Sequence, residues 1–208
     1  SSASRCPLAS PKRARSFSNC FKFARPCGSF RMCSINESGT PYYKESQSME
    51  LKSVRLNIPE NANIILGQSH FIKTVEDIYE AIVTTAPQMK FGVAFNEASG
   101  ACLTRVEGND DALKANAVEN MQAVAAGHTF IIVMRDGFPI NILGRIKDVP
   151  EVVTIFCATA NPVEVIVAQS EQGRGILGVI DGSSPTGAED AAGIEWRHSL
   201  LRKIGYKR

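Results

Sequence analysis

No stretch of eighteen apolar residues occurs in this 208-residue chain, so no segment can cross a bilayer as a helix. Zinc-finger spacing is missing as well. Four of the six cysteines (Cys6, Cys20, Cys27, Cys33) are scattered irregularly, with no C-x-x-C pair and no nearby histidine. The other two, Cys102 and Cys157, sit in apolar, strand-like stretches and read as small buried hydrophobes. Nothing suggests a disulfide framework, which points to a reducing compartment for the folded part. The chain has no G-x-x-x-x-G-K-[ST], no G-x-S-x-G, no H-E-x-x-H, and none of the V-A-I-K, H-R-D or D-F-G elements of protein kinases. Aromatic residues do not interleave with basic ones, so no RNA-binding pattern is present. Neither a nucleic-acid nor a membrane partner is expected.

The most informative scarcity is of acid. The first thirty-six residues hold seven Lys or Arg and no Asp or Glu, whereas the remainder holds sixteen basic and twenty-one acidic residues. This opening stretch is rich in Ser and carries Pro7, Pro11 and Pro26. Such composition is that of an organelle transit peptide, and no continuous apolar run supports a secretory signal. Residues 1–48 are therefore read as a disordered transit-peptide-like leader, addressed to a plastid or alternatively a mitochondrion. Residues 49–208 are read as the folded domain.

There the texture changes. Leu51–Ile58 alternates like a strand closed by Pro59, and Asn63–Leu66 forms a second, ending at Gly67. Val75, Ile78, Tyr79, Ile82 and Val83 mark one face of a helix, with Thr74 as the expected N-cap and Asp77 three residues on. Lys90–Phe95 and Ala101–Val106 read as strands around the polar loop Asn96–Gly100. Asn109 is the expected cap of a helix running through Ala125, closed by Gly127. His128–Met134 reads as a buried strand, Pro139–Val149 as a short helix, and Val152–Ala158, Val163–Ala168 and Gly175–Ile180 as strands. Glu189–Ile204 reads as a polar helix. Strands interleaved with helices predict an α/β domain, a single compact unit with a mixed sheet covered by helices.

Three polar constellations interrupt the apolar segments. In Gly67-Gln68-Ser69-His70-Phe71-Ile72-Lys73-Thr74 a loop enters a helix N-terminus, where outward N–H groups favour an anion. Gly67 would permit close approach, Lys73 adds charge, and His70 can carry a proton or phosphoryl group. In Ala126-Gly127-His128, a histidine stands where a helix end feeds a buried strand, and a neutral imidazole there suits a nucleophile. Gln172-Gly173-Arg174-Gly175-Ile176-Leu177-Gly178 satisfies G-x-G-x-x-G, but a strand follows rather than the helix that dinucleotide binding needs. It reads as a glycine hairpin over phosphates, with Arg174 as a charged donor. Each of the three also has a plain reading as a capped loop, a satisfied core histidine or a tight turn. Glu97 and Asn161 are secondary candidates, and His198 reads as a solvated residue.

The strings LGQSHFIKTVEDIYEA, KFGVAFNEASG, AGHTFII, VPEVVTIFCATANPVEVIVA, QGRGILGVIDG and LLRKIGY closely resemble the adenosine-specific kinase family from about Met49 onwards. The resemblance implies a domain that binds adenosine, AMP, ADP or ATP, forms homo-oligomers and carries a phosphohistidine. It places the phosphoacceptor at His70 or His128. Glu97 and Ser99 would contact a phosphorylated ring, and Asn96, Gly173, Arg174 and Gly175, with Gly67, Gln68, Ser69, Lys73 and Asn161, would form the nucleotide site. Mg²⁺ would accompany ATP, with Glu97 and Asp181 as candidate ligands. Phe71, Phe95, Phe130 and Phe156 are available for an adenine slot. The implied activity is phosphoryl transfer from ATP to adenosine. The alternatives are an adenosine- or AMP-binding regulatory module with little turnover, and a structural oligomer.

Overall fold

The computed structural model describes residues 49–208 and the backbone of two three-residue strands, β1 (Cys33–Ile35) and β2 (Pro41–Tyr43), which pair antiparallel with each other. The expected leader and its address otherwise lie outside the described residues. The elements that follow are β3 (Glu50–Arg55), β4 (Asn63–Ser69), α1 (Thr74–Thr85), β5 (Lys90–Asn96), β6 (Thr104–Gly108) and α2 (Asp111–Val124). After these come β7 (Thr129–Arg135), α3 (Pro139–Lys147), β8 (Val152–Thr159), β9 (Val163–Gln169), β10 (Arg174–Asp181) and α4 (Ala191–Lys203).

The run Thr129–Arg135 is β-branched and aromatic with one polar residue at each end, so it suits a strand covered on both faces. It lies at the centre of a five-stranded sheet ordered β6-β5-β7-β4-β8. Alternation along the strands sorts their side chains into two cores. Ile65, Phe91, Val93, Phe95, Phe130 and Ile132 pack under α1 and α3. Ile64, Leu66, Ala94, Ile131 and Val133 face α2 and a second sheet ordered β10-β9-β3. Burying each large side chain contributes roughly 1.5–3 kcal/mol.

The α/β class is as expected, with one finer difference. Every pairing in both sheets is antiparallel rather than mixed. One face is also covered by a helix together with a second sheet, not by helices alone. No helix among the described residues is long and apolar enough to cross a membrane.

Two caps differ from their expected positions. Thr74 lies inside α1: its buried hydroxyl donates to the Phe71 carbonyl and lies 3.0 Å from Ser69 Oγ, while Lys73 holds the cap position. Asp110, not Asn109, caps α2, accepting from Leu113 N at 3.0 Å. Asn109 instead bonds both Phe91 N and the Met89 carbonyl. At its other end α2 closes on Ala125 in the left-handed region (φ 52°), so Gly127 is not its cap.

Candidate functional site

Antiparallel pairing brings the sequence-distant polar strings to one end of the five-stranded sheet. The ends of β4 and β5 and the starts of β6, β7 and β8 all lie there. Backbone bonds tie them directly: His128 N donates to the Asn96 carbonyl at 2.8 Å, Ser69 N to His128 at 2.9 Å, and His70 N to Glu151 at 3.1 Å. The two faces of this end differ in chemistry.

On the α2 face a cavity of about 980 Å³ opens between the Asn96–Thr104 loop, the end of α2 and the β9–β10 hairpin. Asn96, Glu97, Gly173, Arg174 and Gly175 line it, and so does Gly127 beside His128. Its floor is Asn96, a buried amide whose Nδ2 donates to the Met121 and Ala126 carbonyls at 2.9 and 3.1 Å. Thr104 Oγ1 donates to its Oδ1 at 2.9 Å. Arg174 completes this cap. Nη1 donates to the Ala123 carbonyl at 3.1 Å, and Nε to Gln169 Oε1 at 3.0 Å. Arg174 is therefore already engaged with the carbonyl end of a helix dipole, where a cation is favoured. Glu97 likewise accepts from Arg105 Nη2 at 2.9 Å. Ser170 to Arg174 turns as a hairpin with Gly173 at φ 156°, a conformation L side chains rarely adopt. Non-glycine residues with positive φ cluster here too: Cys102 and Ala125 line the cavity, and His128 follows Gly127. Cys102 is exposed in this loop, not buried in a strand as expected; Cys157 is buried.

Met49, Leu103, Met121 and Gln122 also line the cavity and carried no signal in the sequence. They come from three separate segments, and only the fold joins them. The cavity's apolar wall is aliphatic. Phe95 and Phe130 are wholly buried on the other face, and neither Phe71 nor Phe156 lines the cavity.

On the α1 face stands the helix N-terminus expected to hold an anion. Its cation is occupied internally: Lys73 pairs with Asp77 and with Glu151, a carboxylate only 3% exposed. The bond to Asp77, then that to Glu151, holds the Lys73 ammonium above its usual pKa. Glu151 Oε2 is buried without a partner. Gly67 is no ligand-loop glycine. It lies inside β4, where a Cβ would stand 2.5 Å from the Phe130 ring and 2.8 Å from the Thr154 carbonyl. Ser69 is buried and Gln68 half-buried in the same strand. His70 is exposed, and the His128 ring stacks on Phe95 with centroids 6.0 Å apart. Neither imidazole lines the cavity.

Asn161 is not brought to this end. It lies before β9, bonded to Asp181 at 3.1 Å. Glu97 and Asp181 thus stand at opposite ends of β10 and cannot share a cation. Ser99 is exposed on the loop beside the cavity.

No curated protein matches the chain. The chain is similar to the solved crystal structure of PH1918 protein from Pyrococcus horikoshii OT3, with 41% identity and a TM-score of 0.75 over 77% of this chain and 99% of that one. The pattern of the family described as adenosine specific kinase matches residues 54–207. The chain belongs to the adenosine specific kinase family.

Proposed function

We propose that the cavity beside α2 binds adenosine and its phosphates, and that the chain transfers a phosphoryl group from ATP to adenosine through a phosphohistidine. Membership of the family suggests a nucleotide-related, kinase-like function. The observation that carries the finer reading is the convergence of Asn96–Glu97, Gly127 and Gly173–Gly175 on one cavity large enough for a nucleoside. Aliphatic side chains would hold the base, while Glu97, Gln122 and Thr104 would meet its polar edges. Backbone N–H groups of the glycine hairpin would meet the phosphates.

The phosphoacceptor is His70 or His128: the main chain of His128 adjoins Gly127 of the cavity wall, but neither ring lines the cavity and that of His128 stacks on Phe95. A neutral ring nitrogen would attack the γ-phosphorus, the bond to the bridging oxygen would break, and ADP would leave. The 5′-hydroxyl of adenosine would then displace the imidazole, giving AMP and releasing its proton to solvent. The residues present do not form a magnesium cage. Among the described residues no group of three or more His, Cys, Asp or Glu converges, and the cavity's carboxylate is paired with Arg105. Magnesium would arrive on the nucleotide phosphates, and no step here depends on a protein site for it.

A binding module with little turnover is the second reading, favoured by the engagement of both charged cavity residues, Glu97 and Arg174, with protein partners. Incubation with γ-labelled ATP and adenosine separates the two. Net AMP, with label on histidine under alkaline mass spectrometry and its loss in His70→Ala or His128→Ala, supports the kinase. Tight AMP binding without turnover supports the module, and absence of any adenine-nucleotide binding refutes both.

A further inference from the structure

The buried face of α2 carries one residue that helical periodicity does not predict. Leu113, Ala117, Asn120, Met121 and Val124 are the side chains this helix buries, and four of the five are apolar. Asn120 is 2% exposed. An apolar side chain would suit that position better, because asparagine is a weak helix former and its amide must be bonded once it leaves water. Every polar atom of this amide is engaged. Oδ1 accepts from Asn57 N at 2.7 Å, and Nδ2 donates to the Asn57 carbonyl at 2.9 Å and to the Asn116 carbonyl at 3.0 Å. Asn120 therefore grips both polar atoms of one residue's main chain, as a neighbouring strand would. Asn116 Nδ2 donates to the same Asn57 carbonyl at 3.0 Å.

The gripped residue continues the three-stranded sheet. Leu56 N donates to the Val163 carbonyl at 2.9 Å, which carries the β3–β9 ladder up to Asn57. That sheet supplies one wall of the cavity, through Met49, Ala168 and the Gly173–Gly175 turn. The end of α2 supplies the facing wall, through Met121, Gln122 and Ala125. Between the two layers lies the aliphatic core that holds Val163, Val165 and Val167 together with Ala117 and Val124. Such contacts are non-directional and do not fix how far a sheet slides along a helix. Directional ties come from two places. Arg174 donates to the Ala123 carbonyl at the cavity itself, and Asn120 grips Asn57 about one helical turn earlier.

We propose that Asn120 is a positioning residue for the nucleotide cavity: its amide fixes where the β10-β9-β3 sheet sits along α2, and so holds Gly173–Gly175 opposite Asn96. Asn120 does not line the cavity and touches no ligand. It acts through its neighbours. Met121, the next residue, lines the cavity, and its carbonyl accepts from the Asn96 amide that forms the floor. Gln122 follows in the same wall. A preformed site tolerates little displacement of its walls, so freeing one wall weakens binding although every lining residue is intact. The role assigned to Asn120 rests on the cavity being the nucleotide site.

Calorimetry of adenosine binding by the folded full chain, well below its melting transition, tests it. Asn120→Leu removes the grip and keeps the helix face apolar; its adenosine Kd is expected about tenfold above that of the wild type. Asn120→Asp, of the same size, leaves an acceptor for Asn57 N but turns a carboxylate oxygen on the Asn57 carbonyl. It should lose as much, and it serves where leucine does not fold. A merely structural residue would lower the melting temperature and leave the Kd alone, as Ile78→Val in the other core is expected to do. The second readout is a double-mutant cycle with Arg174→Lys. Both ties hold one wall, so releasing either lets it move, and the double variant should bind about as weakly as the weaker single one. A folded Asn120 variant that binds within about twofold of the wild type, or a double variant whose loss is the product of the two single losses, overturns the proposal. A wild type that binds no adenosine overturns the nucleotide reading itself, whereas a binding wild type with unchanged Asn120 variants overturns the positioning role alone.

Discussion

Two helix ends border the same end of the central sheet, on opposite faces and with opposite polarity. The N-terminus of α1 carries the positive pole, and its lysine is tied to Asp77 and buried Glu151. The C-terminus of α2 carries the negative pole, and Asn96 and Arg174 cap its carbonyls. Anion chemistry alone would select the first. The cavity lies at the second. At the α1 N-terminus the cation is already compensated by two carboxylates, whereas the capped C-terminus of α2 borders an open cavity, the place where the proposed nucleoside would lie with its phosphates towards the glycine hairpin.

Asn96→Ala should break this comparison most severely. It removes two donors to buried carbonyls and the acceptor for Thr104, so a loss of about 3 kcal/mol is expected in urea unfolding, with at least a tenfold loss of adenosine affinity. The matching change at the other pole, Thr74→Val, removes one buried hydroxyl; it should cost about 1 kcal/mol and leave that affinity unchanged. Equal effects on affinity would show that the two faces act as one site.

Arg174→Lys comes next. A lysine cannot reproduce the fork that reaches the Ala123 carbonyl and Gln169 together. About 1 kcal/mol of stability should be lost, and the adenosine Kd, followed by calorimetry, should rise three- to tenfold. A variant that binds ATP far worse but adenosine equally well would instead place Arg174 on the phosphates.

Much of the fold was legible because periodicity is local. The apolar faces of α1 and β7 and the hairpin of β5 with β6 need only neighbouring residues to declare themselves. Strand direction does not, because it depends on which distant strands meet. The same distinction divides the site. Asn96, Glu97 and the Gly173–Gly175 turn announce themselves as polar or glycine interruptions. Gly67 announces itself in the same way, yet it exists to let Phe130 and β8 approach. Met49, Leu103 and Gln122 are ordinary in sequence and join the cavity only through folding. Phe95 and Phe130 mislead for the opposite reason: aromatic rings suit both a purine and a core, and here the core holds them.

A smaller effect tests the α2 side of the core against pH. Burial, reinforced by the charge of Asp181, pushes the Cys157 thiol up to about 11. The folded state thus favours the neutral thiol. That contribution is complete below the unfolded pKa near 9 and is lost as pH rises towards 11. Wild type should therefore lose about 1 kcal/mol more than Cys157→Ala between pH 8.5 and 10. Parallel curves would mean that the thiol is wetter than its 8% exposure implies.

The smallest expected effect is the sharpest control. Glu151→Gln keeps the shape of a side chain 3% exposed while removing its charge. Two consequences oppose each other: Lys73 loses one ionic partner, and a buried carboxylate with an unpartnered oxygen no longer has to be desolvated. Lys73 keeps Asp77 and is itself half exposed, so no uncompensated buried charge remains. The melting temperature should move by less than about 3 °C, and adenosine affinity by less than twofold. The His70 loop should stay in place, since its backbone bond goes to the main chain of Glu151, which the substitution does not touch. A fivefold loss of adenosine affinity in Glu151→Gln would mean that the α1 pole contributes charge to the ligand after all, and the division between the two faces would have to be abandoned.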